Sequence, residues 1–277
     1  MNLYRSRVRS ILAPVSGKWV IKMLEIHEIV KRQFDIQAQK FSDWSVTKNI
    51  EYQKAYLEFC EITSQDTFLD FACGTGEYAI FAAPQVKIAH GVDISKGMIE
   101  IARKQAAKQN VNNISFSCHP VEQTPYEDDS FSIVICRSAF HHFNDYTRIF
   151  DEMIRCCHPG GRISIQDIVA YSDKQVDNFF EKFESTVDES HQRTLNKEFI
   201  QSLYDNRKIK IKKTFEIEVE LNFQEYLGHA NQSSQNKERI SSLIEQGLSD
   251  SEISKYFVLK ENNLFFKRNV FLILGEK

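Results

Sequence analysis

A short segment that combines an acidic residue with glycines carries the clearest chemical signal in the sequence. The run TFLDFACGTG at 67–76 is apolar up to Asp70 and then breaks into a glycine-bearing turn. Small residues at such a turn let a ligand touch the backbone, and a helix predicted from Glu77 points its N-terminal amides at that ligand. About twenty residues further on, Asp93 closes a second apolar run, where a carboxylate can accept hydrogen bonds from a ribose diol. The pattern predicts a site for a nucleoside-bearing cofactor.

The residues of this turn are compatible with two kinds of cofactor. Residues 74–79 match GxGxxA, the dinucleotide fingerprint, and Asp93 lies near the spacing at which that fingerprint has an acid. Asp70, however, stands directly before the glycines, where a negative charge does not help to bind a pyrophosphate. A cationic ligand, such as a sulfonium with an α-ammonium group, gains from that charge. Asp70 therefore favours a sulfonium cofactor over NAD(P).

Two adjacent histidines, His141 and His142, provide the candidate catalytic base. A histidine can take a proton from a hydroxyl or an acidic carbon near neutral pH. The alternative is that one histidine caps the following loop and the other is solvated. His191 and Asp167 are further candidates, and we expect each of them to be structural rather than catalytic.

The elements that must position these residues alternate between strands and helices from residue 67, which predicts βαβ units and a parallel sheet. Strands are predicted at 67–72, 86–92, 114–118, 131–136 and 162–169, with helices at 77–83, 96–109 and 146–157. The turn at Pro159-Gly160-Gly161 is expected to end the last of these helices and to restart the chain as a strand. The candidate residues fall at the carboxyl ends of the strands, where ligands bind in open sheets of this type.

The flanking segments predict a lid and a cap around this sheet. Helices are predicted at 25–44 and 49–60, before the first strand, where aromatic side chains suit a lid over a bound cofactor. Beyond residue 170 the pattern predicts helices at 173–186 and 196–204, an alternating strand at 208–221, a polar helical stretch at 223–255 and a closing strand at 269–274. The basic run at 207–213 is expected to be a solvated strand edge. The simplest domain organisation is a basic, disordered extension at 1–22 and one domain at 23–277. The cofactor-binding core of this domain is predicted at 60–170 and a substrate cap within 171–265.

Composition narrows the function classes. A net charge of −3 over 277 residues provides no reason to expect nucleic acid as a partner. No apolar run approaches the roughly 20 residues of a membrane-spanning helix. The six cysteines form no CxxC pair, which predicts neither a metal site nor a disulfide framework and favours a reducing, cytoplasmic setting. The acid-free start at 1–22 leaves an organelle transit peptide open as the alternative.

These residues resemble the class I S-adenosylmethionine (SAM)-dependent methyltransferases, and most closely the small-molecule branch with the ubiquinone- and menaquinone-biosynthesis enzymes. The matching segments are LDxACGTG from Leu69, GVDIS from Gly91 with Met98, Val121-Glu122, CRSAFHHF from Cys136, and Pro159-Gly160-Gly161. The resemblance implies an α/β, Rossmann-like, mostly parallel seven-stranded sheet with helices on both faces and a C-terminal helical cap. It also implies SAM as the cofactor and a small molecule as the methyl acceptor.

The resemblance further implies a set of cofactor-binding positions. In this sequence they are Asp70, Ala72, Cys73, Gly74, Gly76, Asp93, Ile94, Met98, Val121, Glu122 and Cys136. Asp70 is implied to receive the methionine ammonium group and Asp93 the ribose hydroxyls, while Met98 packs on the adenine. One departure is Ala72, which replaces the family's first loop glycine and which we expect a backbone with negative φ to tolerate. Another is Pro120, where an acidic residue is common.

Methyl transfer from a sulfonium leaves the need for a base open. Aligning nucleophile, methyl and sulfur can remove roughly 7–11 kcal/mol of barrier without one, so His141 and His142 are candidates for base catalysis in a reaction driven mainly by positioning. Two alternatives from other classes are an NAD(P)-dependent oxidoreductase and a catalytically silent SAM-binding partner protein. The accepting atom and the oligomeric state are left open.

Overall fold

The computed structural model describes residues 17–230 and 233–277 of the chain. Its strands are β1 Thr67–Phe71, β2 Ile88–Asp93, β3 Ile114–Cys118, β4 Phe131–Arg137, β5 Cys157–Ile168, β6 Lys210–Asn222, β7 Phe257–Lys260 and β8 Asn263–Glu276. Its α-helices are α1 Gly17–Asp43, α2 Ile50–Phe59, α3 Glu77–Ala82, α4 Lys96–Lys108, α5 Tyr146–Cys156, α6 Lys174–Val187, α7 Lys197–Asp205, α8 Phe223–His229 and α9 Ser234–Ser249. Short 3₁₀ helices occur at Ala83–Gln85, Phe140–His142 and Ile253–Tyr256.

One mostly parallel sheet organises these elements. Its strand order is β3-β2-β1-β4-β5-β8-β6, and β7 pairs with β8 as an additional strand. Strands β1 to β5 are mutually parallel, whereas β8 runs antiparallel to its neighbours β5 and β6. Apolar clusters pack on both faces, as a parallel sheet covered by helices requires. The sheet confirms the predicted α/β fold, and β7 was missed because its four residues follow a long polar helical segment.

Side-chain caps explain why the helices begin where the sequence predicts. The side chains of Asn49, Ser95, Asp145, Asp173 and Asn196 each accept a hydrogen bond from a backbone N–H in the first turn of the helix that follows. Such residues satisfy N–H groups that have no partner within the helix. Helix α1 differs, because it begins at Gly17, within the segment assigned to the extension at 1–22. Residues 1–16 lie outside the described residues.

The segment at Pro159–Gly161 differs from the prediction of a turn before a new strand. Strand β5 begins at Cys157, and its pairing with β4 jumps from Cys157 to Arg162, so the residues between them form a bulge. Gly160 adopts a φ of 77° there, and its N–H donates to the Lys277 carbonyl at 2.8 Å. The bulge therefore ties the start of β5 to the C-terminal residue.

A separate aromatic core holds the cap together. Phe180, Phe183, Phe223 and Phe266 are buried in one cluster that joins α6, α8 and the start of β8. These phenylalanines thus pack the cap rather than line a pocket. Strand β8 runs from this cap into the central sheet, which makes it longer than predicted. Among the described helices, none has the length and apolar character needed to cross a membrane.

Candidate active site

The turn after β1 has the close backbone packing that its glycines require. Gly74 and Gly76 have positive φ angles of 54° and 81°. A Cβ at Gly76 would lie 2.9 Å from the side chains of Ala102 and Phe116, so a larger residue cannot fit there. Gly76 is also the residue from which α3 begins. The turn thereby brings the helix N-terminus to the carboxyl edge of the sheet.

Ala72 departs from the expectation of a negative φ. Its φ is 53°, in the left-handed region where a residue with a Cβ costs roughly 1–3 kcal/mol. The expectation was wrong because it assumed that the loop does not need a positive φ at the position where the glycine is replaced. The loop in fact turns through a left-handed conformation at Ala72 and again at Gly74.

Asp93 joins the glycine turn to the next helix. Its Oδ2 accepts from the Gly74 N–H at 2.9 Å and its Oδ1 from the Ser95 N–H at 2.8 Å. Burial raises the pKa of Asp93 to about 6, although both backbone donors oppose that shift. A carboxylate with one backbone donor on each oxygen retains acceptor capacity for further hydroxyl donors. Asp93 is therefore held in place and still able to bind a diol.

A cleft at the carboxyl edge of the sheet, termed the cofactor cleft, brings most of the predicted cofactor residues together. With its open mouth it encloses about 1150 Å³. The predicted residues that line it are Ala72, Gly74, Asp93, Ile94, Met98, Val121 and Glu122. Helix α1 and the segment after β4 supply the remaining wall: Ile26, His27, Val30, Phe34, Ser138, Ala139, His142, Phe143, Asn144 and Asp145.

Four predicted residues do not line this cleft. Cys73 and Cys136 are buried among apolar side chains, and Gly76 supports the turn from beneath. Asp70 is only 4% exposed. Burial raises the pKa of Asp70 to about 8, with Arg137 opposing the shift and the carboxylates of Asp93 and Glu77 adding to it. Burial therefore outweighs Arg137 at Asp70, and a further cationic group nearby would favour its charged form.

Helix α1 closes the cofactor cleft through polar contacts. His27 Nε2 lies 2.8 Å from Glu122 Oε1. Asp35 Oδ1 accepts from the Ser95 hydroxyl at 2.6 Å and from the Gly97 N–H at 2.8 Å. The sequence predicts a lid here but none of these contacts, because helical periodicity does not reveal which polar side chains reach another element.

A second, larger cavity, termed the acceptor cavity, lies beside the cleft and measures about 1990 Å³ with its open mouth included. Its floor is one face of three adjacent strands. Gln166 of β5, Leu272 of β8 and Phe215 of β6 are cross-strand neighbours, and Ile168, Val270 and Ile217 form the next row. The third row pairs Arg268 with Val219. The residues of these three rows are apolar except Gln166 and Arg268, and Glu220 of β6 also lines the cavity.

Aromatic side chains roof the acceptor cavity and polar ones form its inner wall. The roof residues come from the end of α1, the following loop and α2: Phe41, Trp44, Tyr52, Tyr56 and Phe59. The inner wall contains His141, His142, Glu184, Asp188 and Tyr226. Ser138 and His142 line both cavities. The two cavities therefore meet just beyond the carboxyl end of β4.

His141 forms a buried pair with Asp167 at this meeting point. His141 Nδ1 lies 2.7 Å from Asp167 Oδ1. Burial lowers the pKa of His141, but the Asp167 carboxylate outweighs it, so that the pKa is raised overall. Burial likewise raises the pKa of Asp167, and His141 reverses that effect, leaving the pKa lowered. This arrangement leaves the other ring nitrogen, Nε2, to exchange a proton with a ligand.

His142 has the opposite electrostatic character. Burial and the neighbouring His141 lower the pKa of His142, so the ring is neutral at pH 7. The Ser190 hydroxyl donates to Asp188 Oδ1 at 2.6 Å and lies 3.0 Å from His142 Nδ1. Because the single hydroxyl proton is used, Ser190 can only accept from Nδ1–H, which leaves Nε2 of the neutral ring as an acceptor.

His191 has a supporting position rather than one in either cavity lining. Its Nε2 lies 3.4 Å from Glu181 Oε2, and its ring lies 5.8 Å from the His141 ring. The following N–H groups of Gln192 and Arg193 donate to the His141 carbonyl.

In the described ranges no group of three or more His, Cys, Asp or Glu side chains could hold a metal ion.

The fold defines a class of protein. A Rossmann-like sheet with an antiparallel β8 beside β5, carrying a cleft at its carboxyl edge, is the class I SAM methyltransferase fold. The family described as a methyltransferase domain matches residues 62–239, and the chain belongs to this family.

Individual relatives resemble the chain over part of its length. It is 32% identical over 160 residues to the uncharacterized methyltransferase YcgJ of Bacillus subtilis (strain 168), which covers 58% of this chain and 63% of that protein. It is 26% identical over 150 residues to a demethylmenaquinone methyltransferase of Oceanobacillus iheyensis, which covers 53% of this chain and 63% of that one. The chain thus spans less than two thirds of either relative.

Solved structures share the fold. The crystal structure of YcgJ has a TM-score of 0.74 at 24% identity and covers 81% of this chain and 97% of that chain. Geranyl diphosphate C-methyltransferase from Streptomyces coelicolor A3(2), in complex with Mg²⁺, geranyl diphosphate and S-adenosyl-L-homocysteine, has a TM-score of 0.54 at 12% identity and covers 80% of this chain and 78% of that chain.

Proposed function

We propose that this chain is a SAM-dependent methyltransferase that binds SAM in the cofactor cleft and a small, partly apolar methyl acceptor in the acceptor cavity. The observation that carries the proposal is the pair of residues shared by the two cavities, Ser138 and His142. A transferase needs its two ligands to meet at one point, and a protein that only binds a nucleotide does not.

The residues of the cofactor cleft suit SAM. SAM supplies a methyl group on a sulfonium, already activated by its leaving group. Asp93 accepts from the ribose hydroxyls, Ile94 and Met98 pack on the adenine, and Val121 and Glu122 bind its edge. Asp70 provides negative charge for the methionine ammonium group, while the backbone of Ala72 and Gly74 contacts the methionine. Cys73, Gly76 and Cys136 support this wall from behind.

His141 takes the proton that the acceptor loses. Its Nδ1 is engaged by Asp167, so the proton arrives at Nε2, and the carboxylate stabilises the imidazolium that forms. His142, neutral and at the junction of the cavities, positions the accepting group through Nε2. Proximity of the two ligands supplies the larger share of the rate enhancement.

An NAD(P)-dependent oxidoreductase is the alternative with a different chemistry. The classic dinucleotide-binding sheet has the strand order 3-2-1-4-5-6, whereas an antiparallel β8 lies between β5 and β6 here. The sequence contains two Tyr-x-x-x-Lys segments, Tyr204 to Lys208 and Tyr256 to Lys260, of a kind that can serve hydride chemistry. Neither pair lines the cofactor cleft or the acceptor cavity.

Transfer of label from methyl-labelled SAM to a panel of small hydroxylated and amine-bearing acceptors tests the proposal. We expect label in a methylated acceptor that is separated from SAM, and we expect a Val270→Trp variant, which fills the floor of the acceptor cavity, to lose this turnover while keeping SAM affinity. SAM binding without turnover on any acceptor would instead favour a catalytically silent partner protein. The domain boundaries and the cytoplasmic location stay predictions.

A further inference from the structure

Arg268 is a buried cation that keeps one N–H donor unpaired. It is 1% exposed and lies in the floor of the acceptor cavity. Its guanidinium NH1 lies 3.6 Å from Glu184 Oε1 and its NH2 lies 3.4 Å from the Thr194 hydroxyl. Its Nε has no partner among the described residues. A guanidinium has five N–H donors, and both observed contacts exceed the usual 2.7–3.2 Å.

The surroundings of Arg268 stabilise its charge but leave its Nε–H unpaired. Burial lowers the pKa of Arg268, but the Glu184 carboxylate and a hydrogen bond with the Tyr171 hydroxyl outweigh it, so the pKa is raised overall. The rings of Tyr171 and Phe180 lie 5.2 and 5.4 Å from the guanidinium carbon, and the Tyr171 hydroxyl donates to the Lys267 carbonyl. Glu184, the nearest carboxylate, also accepts from the Tyr226 hydroxyl. A buried N–H donor without a partner is costly, so the unpaired Nε–H of Arg268 beside a cavity indicates a ligand oxygen that completes the bonding.

The floor beside Arg268 indicates the rest of that ligand. From Leu221 to Phe215, alternate residues of β6 present apolar side chains to the cavity over roughly 20 Å, at about 3.3 Å per residue. The charged β6 residue in the lining, Glu220, is paired with Lys260. Exposure is greatest at the outer end, where Phe215 is 54% and Ile217 is 41% exposed. A ligand with a polar head at Arg268 and an apolar body along β6 covers both features.

We propose that Arg268 determines acceptor specificity by binding a carboxylate or carbonyl oxygen on the head of an amphipathic acceptor whose apolar body lies along β6. This inference rests on the proposed function, because it assigns the ligand of the acceptor cavity. It places the oxygen-bearing head at the inner wall, beside His141 and His142, and the apolar end at the open edge of the sheet.

Binding of probes with matched ten-carbon chains tests this assignment. Trp44 lines the acceptor cavity, so a Trp19→Phe background leaves it as a fluorescence reporter of occupancy. We expect decanoate and 2-decanone to bind at least tenfold more tightly than decyltrimethylammonium. Tighter binding of decanoate than of 2-decanone identifies a carboxylate head, and tighter binding of 2-decanone identifies a carbonyl head. Binding of the cation as tightly as both oxygen probes overturns the proposal.

Variants of the same chain separate recognition from folding. Arg268→Met removes the donor, and we expect a tenfold or greater loss of affinity for the oxygen probes, in line with hydrogen bonds to a charged group. Glu184→Gln removes the competing carboxylate, and decanoate affinity is expected to rise several-fold even if Arg268→Met does not fold. An unchanged or weaker decanoate affinity in Glu184→Gln contradicts the proposal.

A charged residue introduced into the floor of the acceptor cavity tests whether the apolar body of the ligand lies along β6. Phe215→Asp is expected to weaken decanoate at least fivefold, whereas Thr214→Asp, on the other face of the same strand, is expected to leave it unchanged. Equal effects of the two substitutions overturn the proposed path along β6. SAM affinity, measured on each variant by calorimetry, keeps the tests distinct: intact SAM binding without probe selectivity refutes only this inference, and absent SAM binding in the parent protein refutes the proposed function.

Discussion

At the scale of single residues, the adjacent histidines illustrate how environment separates two identical side chains. His141 faces Asp167 and its pKa is raised, whereas His142 faces a serine hydroxyl and its pKa is lowered. Environments that push the pKa values of neighbouring groups apart assign their roles. From the sequence alone, both histidines are equal candidates for the catalytic base. Only the partners contributed by β5 and the segment after α6 distinguish them.

Replacing Asp167 tests the role of His141 as the base. The raised pKa means that His141 is protonated, and inactive as a base, at low pH, so kcat/KM falls as pH drops through the pKa of His141. In Asp167→Asn that pKa falls, and the acid limb of the pH profile shifts to lower pH. His141→Gln is expected to lower kcat by roughly 10²–10⁴. An unshifted acid limb together with a loss below tenfold would mean that positioning alone carries the reaction.

We expect the ionised Asp70 carboxylate to lower the free energy of unfolding while favouring SAM binding. Its raised pKa means that the folded state holds a proton that the unfolded state releases, so its contribution to stability is lost as pH rises from about 4 to about 8. Asp70→Asn is expected to stabilise the ligand-free protein by roughly 0.5–2 kcal/mol at pH 8 while weakening SAM. Urea unfolding and calorimetry measure the two effects.

The wild-type protein supplies the control for Asp70. Because a bound ammonium group favours the ionised carboxylate, SAM binding should release a proton near pH 7 and should tighten as pH rises toward 8. Calorimetry in buffers of different ionisation enthalpy measures that release. Equal proton release by wild type and Asp70→Asn would remove Asp70 from the cofactor site.

Ala72 offers a test of backbone strain. Ala72→Gly relieves the left-handed conformation, although it increases the entropy of the unfolded chain, and we expect a net gain of roughly 0.5–1 kcal/mol in the free energy of unfolding. Urea denaturation with an unchanged m-value checks it. A loss of stability would show that the Ala72 methyl group packs favourably enough to outweigh the strain.

At the scale of elements, α1 acts as the lid on the cofactor cleft through a few polar contacts. Asp35→Ala removes two hydrogen bonds to the start of α4, and we expect SAM to dissociate about thirtyfold faster, consistent with roughly 1 kcal/mol per bond. Stopped-flow dissociation and hydrogen exchange over residues 26–35 measure the effect. Glu28 is exposed on the same helix, so Glu28→Ala is the matched control. An equal change in the SAM dissociation rate of that variant would contradict a specific role of the Asp35 hydrogen bonds.

At the scale of the whole molecule, the sequence predicted those parts of the structure that local patterns determine. The strand ends carry the predicted cofactor residues, because parallel strands bring their carboxyl ends to one edge. The capping residues place the helix starts within a residue or two. The acceptor cavity was not predictable in this way, because its floor depends on long-range pairing of β5, β8 and β6, and Arg268 is separated from Gln166 by about a hundred residues of chain.

Titration of the protein with SAM, S-adenosylhomocysteine and NAD by calorimetry tests the central claim that the cofactor cleft is a SAM site. We predict binding of both SAM and S-adenosylhomocysteine in preference to NAD. Asp93→Ala should weaken both by at least tenfold, since two hydrogen bonds to a carboxylate contribute about 1.5–3 kcal/mol each. Preferential binding of NAD, or unchanged SAM affinity in Asp93→Ala, would contradict the account.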